Sequence, residues 1–228
     1  MPRAVRVSGS CQTWPVNERI QRLAGASLYL VCDERSDRFI EASLRGGVDV
    51  VQLRCKDAPD EQVLQTAVRY GRVCAAHGAL FILNDRPDLA VRAGADGVHV
   101  GQDDMPVTQA RALVGRERLI GLSTHSPAQV NAAGELDVDY VGVGPVHETP
   151  TKPGRPAVGL ELVRYAAQHA PVPFFAIGGI EPGNIGAVVE AGAQRVAVVR
   201  ALTEAPEPEL VAAELRRALV AGERVGSA

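Results

Sequence analysis

Two aspartates stand just past apolar runs: Asp85 closes Leu80-Phe81-Ile82-Leu83-Asn84-Asp85, and Asp104 follows Val98-His99-Val100-Gly101-Gln102-Asp103. If these runs are neighbouring parallel strands, both carboxylates emerge at one rim. Such a pair suits a magnesium ion (Mg2+), which keeps several waters and takes phosphate oxygens. The pair therefore points to a phosphorylated substrate. Each aspartate is also placed to cap a helix, with Pro87 and Pro106 in the first turn. Capping explains either one taken singly. Two on successive units, with Asn84 beside one and Gln102 near the other, favour the metal.

Other polar residues fall at similar positions. In Gln52-Leu53-Arg54-Cys55-Lys56 the alternation of an extended chain sends Gln52, Arg54 and Lys56 to one side. That is a phosphate clamp, or simply solvated charge at a strand end. Gly121-Leu122-Ser123-Thr124-His125-Ser126-Pro127 offers Ser123 as a hydrogen-bonding group and Ser126 as a helix cap. Ser123 lacks the Gly-x-Ser-x-Gly elbow, and no acidic partner follows His125, so a hydrolase triad is disfavoured. His99, central in its run, reads as an interior hydrogen-bonded histidine with no catalytic role. The stretch from His147 to Arg155 is rich in hydroxyls, prolines and cations. It reads as a mobile lid carrying Lys152 to a phosphate, with an exposed linker as the alternative. Ala176-Ile177-Gly178-Gly179-Ile180 and Val196-Ala197-Val198-Val199-Arg200 end two further runs, and bare glycine amides there can approach a second anion closely.

The elements that must position these groups follow from a recurring phrase in which a helix end gives way to a short β-branched strand. Gly47-Val48-Asp49-Val50, Gly94-Ala95-Asp96-Gly97, Val138-Asp139-Tyr140 and Gly192-Ala193-Gln194-Arg195 are its copies, and the glycines read as helix C-caps. The copies recur at about two β/α units. Strands are expected near 28–32, 50–54, 80–84, 97–101, 118–122, 139–144, 173–178 and 195–199, each followed by an amphipathic helix. Eight units in α/β alternation predict a single TIM (β/α)8 barrel with its site at the C-terminal strand ends. A doubly wound open sheet is the competing arrangement, but no Gly-x-Gly-x-x-Gly opens a helix after the first strand.

Composition agrees with this. A chain of 228 residues that is 46% hydrophobic can bury one large core, and a formal charge of −3 leaves no basic footprint for nucleic acid. Cys11, Cys32, Cys55 and Cys74 lie far apart with no Cys-x-x-Cys pair, so reduced thiols and a cytoplasmic location are expected. Residues 1–26 form a polar N-terminal extension, flexible or an added helix, without the apolar core of a secretion signal. Residues 27–228 form the catalytic barrel. No apolar run is long enough to span a membrane.

Several of these phrases occur together in one known family. Val51-Gln52-Leu53-Arg54, Asn84-Asp85-Arg86, Gly97-Val98-His99-Val100-Gly101-Gln102-Asp103-Asp104, Tyr140-Val141-Gly142-Val143-Gly144-Pro145, Thr149-Pro150-Thr151-Lys152-Pro153 and Ala176-Ile177-Gly178-Gly179-Ile180 resemble the thiamine-phosphate synthases, in the family's order and from about 28 to 219. The resemblance implies a transferase of thiamine biosynthesis that joins 4-amino-5-hydroxymethyl-2-methylpyrimidine diphosphate to a thiazole phosphate, usually its carboxylate, giving thiamine phosphate, diphosphate and carbon dioxide. It implies that Asp85 and Asp104 hold Mg2+. Gln52, Arg54, Lys56, Asn84, Ser123 and Lys152 would contact the pyrimidine diphosphate, with Arg54, Lys56, Ser123 and Lys152 assisting the chemistry. Thr149, Thr151, Gly179, Val199 and Arg200 would hold the thiazole phosphate.

Two positions depart from the family's pattern. Cys55 replaces a frequent acidic residue and should point away from the ligand. Arg200 stands where many relatives have serine, and could bind the phosphate or turn outward to pair with Glu204. A thiazole tautomerase on the same barrel is the alternative function, and Asp85, Asp104 and Lys152 argue against it. Small phosphorylated molecules are the expected partners, with neither nucleic acid nor membrane. Self-association as a homo-oligomer stays open.

Overall fold

Parallel strands covered on both faces read as unbroken apolar runs, and a sheet of eight such strands can close on itself only if helices coat its outside. The computed structural model, which describes residues 15–149 and 156–225, has this arrangement. Helix α1 (Val16–Gly25) precedes β1 (Leu28–Cys32), α2 (Asp37–Arg45), β2 (Val50–Leu53), α3 (Asp60–Ala76), β3 (Leu80–Asn84), α4 (Pro87–Ala93), β4 (Gly97–Val100) and α5 (Val107–Val114). The second half runs β5 (Leu119–Thr124), α6 (Pro127–Ala132), β6 (Tyr140–Val143), α7 (Gly159–His169), β7 (Phe174–Ile177), α8 (Ile185–Glu190), β8 (Val196–Val198), α9 (Arg200–Thr203) and α10 (Pro208–Val225). All eight strands pair in parallel with their sequence neighbours, and β1 pairs with β8 to close the barrel.

Each expected strand is present within two residues of its expected ends. The fifth differs most, because β5 continues through Ser123 and Thr124, which pair with Gly142 and Val143 of β6. The eighth unit ends in two helices, the one-turn α9 and the long α10. The N-terminal segment supplies α1, whose Leu23 packs with Tyr29, Val50 and Leu80 in the barrel interior.

The recurring phrase gains a structural meaning at the N-terminal end of the barrel. Its aspartates all bind the strand before their own. Asp49 accepts from the backbone N–H of Ser27 at 2.7 Å and of Leu28 at 3.0 Å. Asp96 accepts from Phe81 N at 2.9 Å, and Asp139 accepts from Ile120 N at 2.7 Å. Each carboxylate also meets an arginine: Arg216 at Asp49, Arg19 at Asp96 and Arg111 at Asp139. In the fourth copy Gln194 stands at the acidic position, and the neighbouring Arg195 donates to Ala24 O. These clamps tie neighbouring strands together at the N-terminal end of the barrel.

The main core lies between strands and helices. A second, smaller cluster fills the barrel itself and includes Tyr29, Tyr140 and Phe175. Tyr29 and Tyr140 meet Phe175 edge-on, with centroids 5.2 Å and 5.7 Å away, an arrangement favoured by ring quadrupoles. Gly121 makes room for this group, since a Cβ there would run into the Tyr140 ring and His99.

Candidate active site

At the C-terminal end the barrel interior is open. A cavity of about 300 Å³ extends from the aromatic floor to the loops after the strands. Gln52 and Arg54 from the second unit, Asn84 from β3, Ser123 from β5, Thr149 from the loop after β6, Gly179 after β7 and Val199 and Arg200 after β8 all line it. Residues expected to meet two different anions therefore face one space. Lys56, Asp85 and Asp104 stand beside this lining as a connected rim group. Thr151 and Lys152 lie outside the described residues.

The rim group is held in an unusual way. Asp85 follows β3 with φ of 59°, the one positive value at a non-glycine among the described residues. L side chains avoid this left-handed backbone, although aspartate tolerates it better than most, so its occurrence at a strand end marks a constrained position. The Asp85 backbone N–H still donates to His99 O at 2.8 Å, which extends the β3–β4 ladder one residue beyond the strand. Its carboxyl reaches that of Asp104, and the Lys56 ammonium lies 3.6 Å away. Burial, then the neighbouring Asp104, holds the Asp85 carboxyl above the ordinary carboxylate range, while Lys56 and Asn84 pull it down. Asp104 is steadied by the Gly101 N–H at 2.8 Å.

Neither aspartate caps a helix. The cap positions of α4 and α5 are Arg86 and Pro106, without a side-chain cap bond at either. The capping alternative therefore does not account for the pair, whereas Ser126 does cap α6 by accepting from Gln129 N. Two carboxyls brought together in partial burial are the donor set that would hold a cation here. No group of three or more His, Cys, Asp or Glu side chains able to hold a metal occurs among the described residues. A donor set of two carboxylates fits Mg2+, whose remaining positions go to water and phosphate oxygens.

The cavity floor carries a buried polar chain. Gln52 Nε2 donates to Tyr29 Oη at 2.8 Å, and the Tyr29 and Tyr140 hydroxyls are 2.9 Å apart. Tyr140 Oη lies 3.2 Å from His99 Nδ1, and His99 Nε2 lies 3.0 Å from Ser123 Oγ. Gln102 Nε2 donates to Ser123 O at 2.7 Å, tying the loop after β4 to the end of β5. His99 is thus the interior hydrogen-bonded residue expected, but it also faces the cavity. Tyr29, Tyr140 and Phe175 do not stand out in the sequence as site residues, because each sits within an apolar run. The small residues opposite them, Gly121 and Gly142, were the available signal.

On the other side of the cavity Gly178 and Gly179 both take positive φ, 110° and 62°. A Cβ at Gly178 would press on Pro145, and one at Gly179 on His147, so the turn accepts only glycine and leaves its backbone bare toward the cavity. Arg200 Nε donates to Glu204 Oε1 at 3.0 Å, which is the outward pairing rather than a guanidinium committed to the cavity. Cys55 packs against the outer core and does not line the cavity. Cys32, Cys55 and Cys74 are free thiols. No described helix is long and apolar enough to cross a membrane.

Fold and cavity together define the class: a closed (β/α)8 barrel with a cavity at the C-terminal ends of its strands. The sequence model described as thiamine monophosphate synthase matches residues 28–202, and the chain belongs to that family. It is 52% identical over 211 residues to the thiamine-phosphate synthase of Thermobifida fusca, covering 88% of this chain and 95% of that protein. It is 48% identical over 211 residues to the thiamine-phosphate synthase of Thermosynechococcus vestitus, covering 92% of this chain but only 60% of the relative's length. Among solved structures, the thiamine phosphate pyrophosphorylase from Pyrococcus furiosus superposes with a TM-score of 0.80 at 29% identity, covering 86% of this chain and 96% of that one.

Proposed function

We propose that this chain is a thiamine-phosphate synthase (EC 2.5.1.3) that couples 4-amino-5-hydroxymethyl-2-methylpyrimidine diphosphate to a thiazole phosphate carboxylate, releasing diphosphate and carbon dioxide. The observation that carries the reading is the convergence of Gln52, Arg54, Asn84 and Ser123 with the Gly178-Gly179 turn on one cavity, beside the Lys56, Asp85 and Asp104 rim. The pyrimidine diphosphate occupies the Arg54 side, with Asn84 and Ser123 hydrogen-bonding its oxygens. The thiazole phosphate lies against Gly179, Val199, Thr149 and Thr151. Arg200, paired with Glu204, contributes its backbone more than its charge.

Departure of diphosphate leaves a pyrimidine-methyl cation that the thiazole nitrogen captures. The work of the protein is to stabilise the leaving group and exclude water, rather than to supply a nucleophile. Arg54, Lys56 and Lys152 bring cations to the departing oxygens inside a partly dry site, where charge interactions are stronger than in water. Tyr29, Tyr140 and Phe175 line the cavity floor as an aromatic surface against which the pyrimidine-methyl cation would lie. Asp85 and Asp104 would hold Mg2+, which when bound neutralises charge developing on the diphosphate.

The test is product analysis with purified protein and both substrates, with and without magnesium. Magnesium-dependent thiamine phosphate is the expected result. Aromatisation of the thiazole carboxylate without coupling would move the chain to the tautomerase alternative. Lys152→Ala should slow coupling through weaker leaving-group stabilisation; a variant that lost only thermal stability would contradict the lid assignment.

A further inference from the structure

The polar chain across the barrel floor has an order that its donors dictate, and it reaches from one end of the pyrimidine-diphosphate site to the other. We propose that Gln52, Tyr29, Tyr140 and His99 form a one-way hydrogen-bonded relay that keeps the Ser123 hydroxyl a donor toward the cavity, making Tyr140 and His99 positioning residues for the transfer. The proposal rests on the synthase reading only in what the donor serves, the diphosphate. The order of the relay follows from the Gln52 amide nitrogen donating to Tyr29.

Proton counting sets the direction of each link. An amide nitrogen only donates, so Tyr29 Oη accepts from Gln52 Nε2 at 2.8 Å, and we assign the proton it still holds to its other hydrogen-bond partner, Tyr140 Oη, 2.9 Å away. Tyr140 Oη has then accepted, and its own proton goes to His99 Nδ1 at 3.2 Å. That nitrogen is the acceptor, which places the ring hydrogen on Nε2 and directs it to Ser123 Oγ at 3.0 Å. With its lone pair engaged by His99, Ser123 turns its hydroxyl hydrogen into the cavity it lines. Burial pushes both phenols well above their ordinary range, so each keeps the one proton the order requires. Turning the Gln52 amide over would reverse every link and present a lone pair to the diphosphate, a repulsive arrangement. An anionic leaving group therefore favours the order described, and Gln52 fixes it from a position four hydrogen bonds away.

Packing supports the same assignment. Tyr140 is held edge-on by Phe175 and tilted against His99, with centroids 5.7 Å and 5.6 Å away, and the absence of a Cβ at Gly121 lets the Tyr140 ring and the imidazole approach. Tyr140→Phe keeps these ring contacts and removes one hydroxyl.

The experiment is nitrogen NMR of the histidine side chains in labelled wild-type protein and Tyr140→Phe, with His99 assigned by its loss in His99→Asn, alongside steady-state kinetics. Wild-type protein without substrate should show the neutral Nε2–H tautomer of His99. Tyr140→Phe should show a mixture of tautomers and a kcat lowered about tenfold, with KM for the pyrimidine diphosphate changed less than about twofold. An Nδ1–H tautomer in the wild type, or an unchanged kcat in Tyr140→Phe, would overturn the relay. The wild-type spectrum decides the order even if the variant fails to fold. If the wild type makes no thiamine phosphate, the synthase reading fails separately and the tautomer still decides the relay.

Discussion

Both rims of this barrel set aspartates beside cations, and the two sets are built to different rules. At the N-terminal rim Asp49, Asp96 and Asp139 each accept at least one strand N–H and each face an arginine. At the C-terminal rim Asp85 faces another carboxyl, and its cation, Lys56, stands 3.6 Å off. The first set is satisfied within the protein. The second sets two carboxyls against each other, and burial and that contact hold the Asp85 carboxyl above its ordinary range. A carboxylate whose hydrogen bonds and charge are met locally contributes to register and stability, whereas one pressed against its like would be relieved by a cation, the role proposed here for Mg2+. The lesson is that an aspartate at a strand end cannot be assigned a role from its position. Its partners decide.

The sharpest way to break this contrast is at the buried pair. Arg19 and Asp96 are almost wholly enclosed, and Arg19→Met leaves the Asp96 charge without its partner. The loss should be about 3–5 kcal/mol in denaturant unfolding, with turnover per folded molecule unchanged. A stable variant, or one that loses activity while staying folded, would contradict a purely structural N-terminal rim. The matching change at the other end is Asp104→Ala. It should lower magnesium-dependent turnover at least about a hundredfold, roughly 2.7 kcal/mol, while thermal stability and thiazole phosphate binding hold.

A smaller effect at the C-terminal rim is read by pH. Because burial and Asp104 raise the Asp85 carboxyl above its unfolded value, the folded protein takes up this proton before the unfolded chain does. Its contribution to stability is complete below the unfolded pKa and is lost as pH rises through the folded one. In chelator at neutral pH, Asp85→Asn should therefore be more stable than the wild type, by less than about 1 kcal/mol after solvent screening. The gap should close in acid. A less stable variant would mean that the carboxylate is satisfied after all. The smallest change is Arg200→Ser, where the guanidinium already pairs with Glu204. KM for the thiazole phosphate should move less than about twofold, and a larger rise would return Arg200 to the anion site.

The sequence made the barrel legible because parallel strands sheathed by helices leave apolar runs at regular intervals, and glycines mark the helix ends. Gly94, for example, caps α4 in the left-handed conformation the phrase implies. It also exposed the C-terminal rim, since Asp85, Asp104, Arg54 and Lys56 interrupt or follow apolar runs and so stand out. The N-terminal clamps were harder to read. Asp49, Asp96 and Asp139 sit inside the recurring phrase, but their arginines come from α10, α1 and α5, and no local pattern announces contacts across so many residues. The cavity floor was hidden for another reason. When both faces of a strand are buried, the alternation that would separate Tyr29, Tyr140 and Phe175 from outward-facing neighbours has no polar residues to reveal it.

The central claim is the proposal that the carboxyl pair of the C-terminal rim serves magnesium, whereas the aspartates of the N-terminal rim serve the fold. Calorimetric titration of inorganic diphosphate into wild-type protein, with and without magnesium, tests it directly. Magnesium should tighten binding at least about tenfold, and Asp104→Ala should lose that gain. Equal affinity in the presence and absence of magnesium would contradict the account.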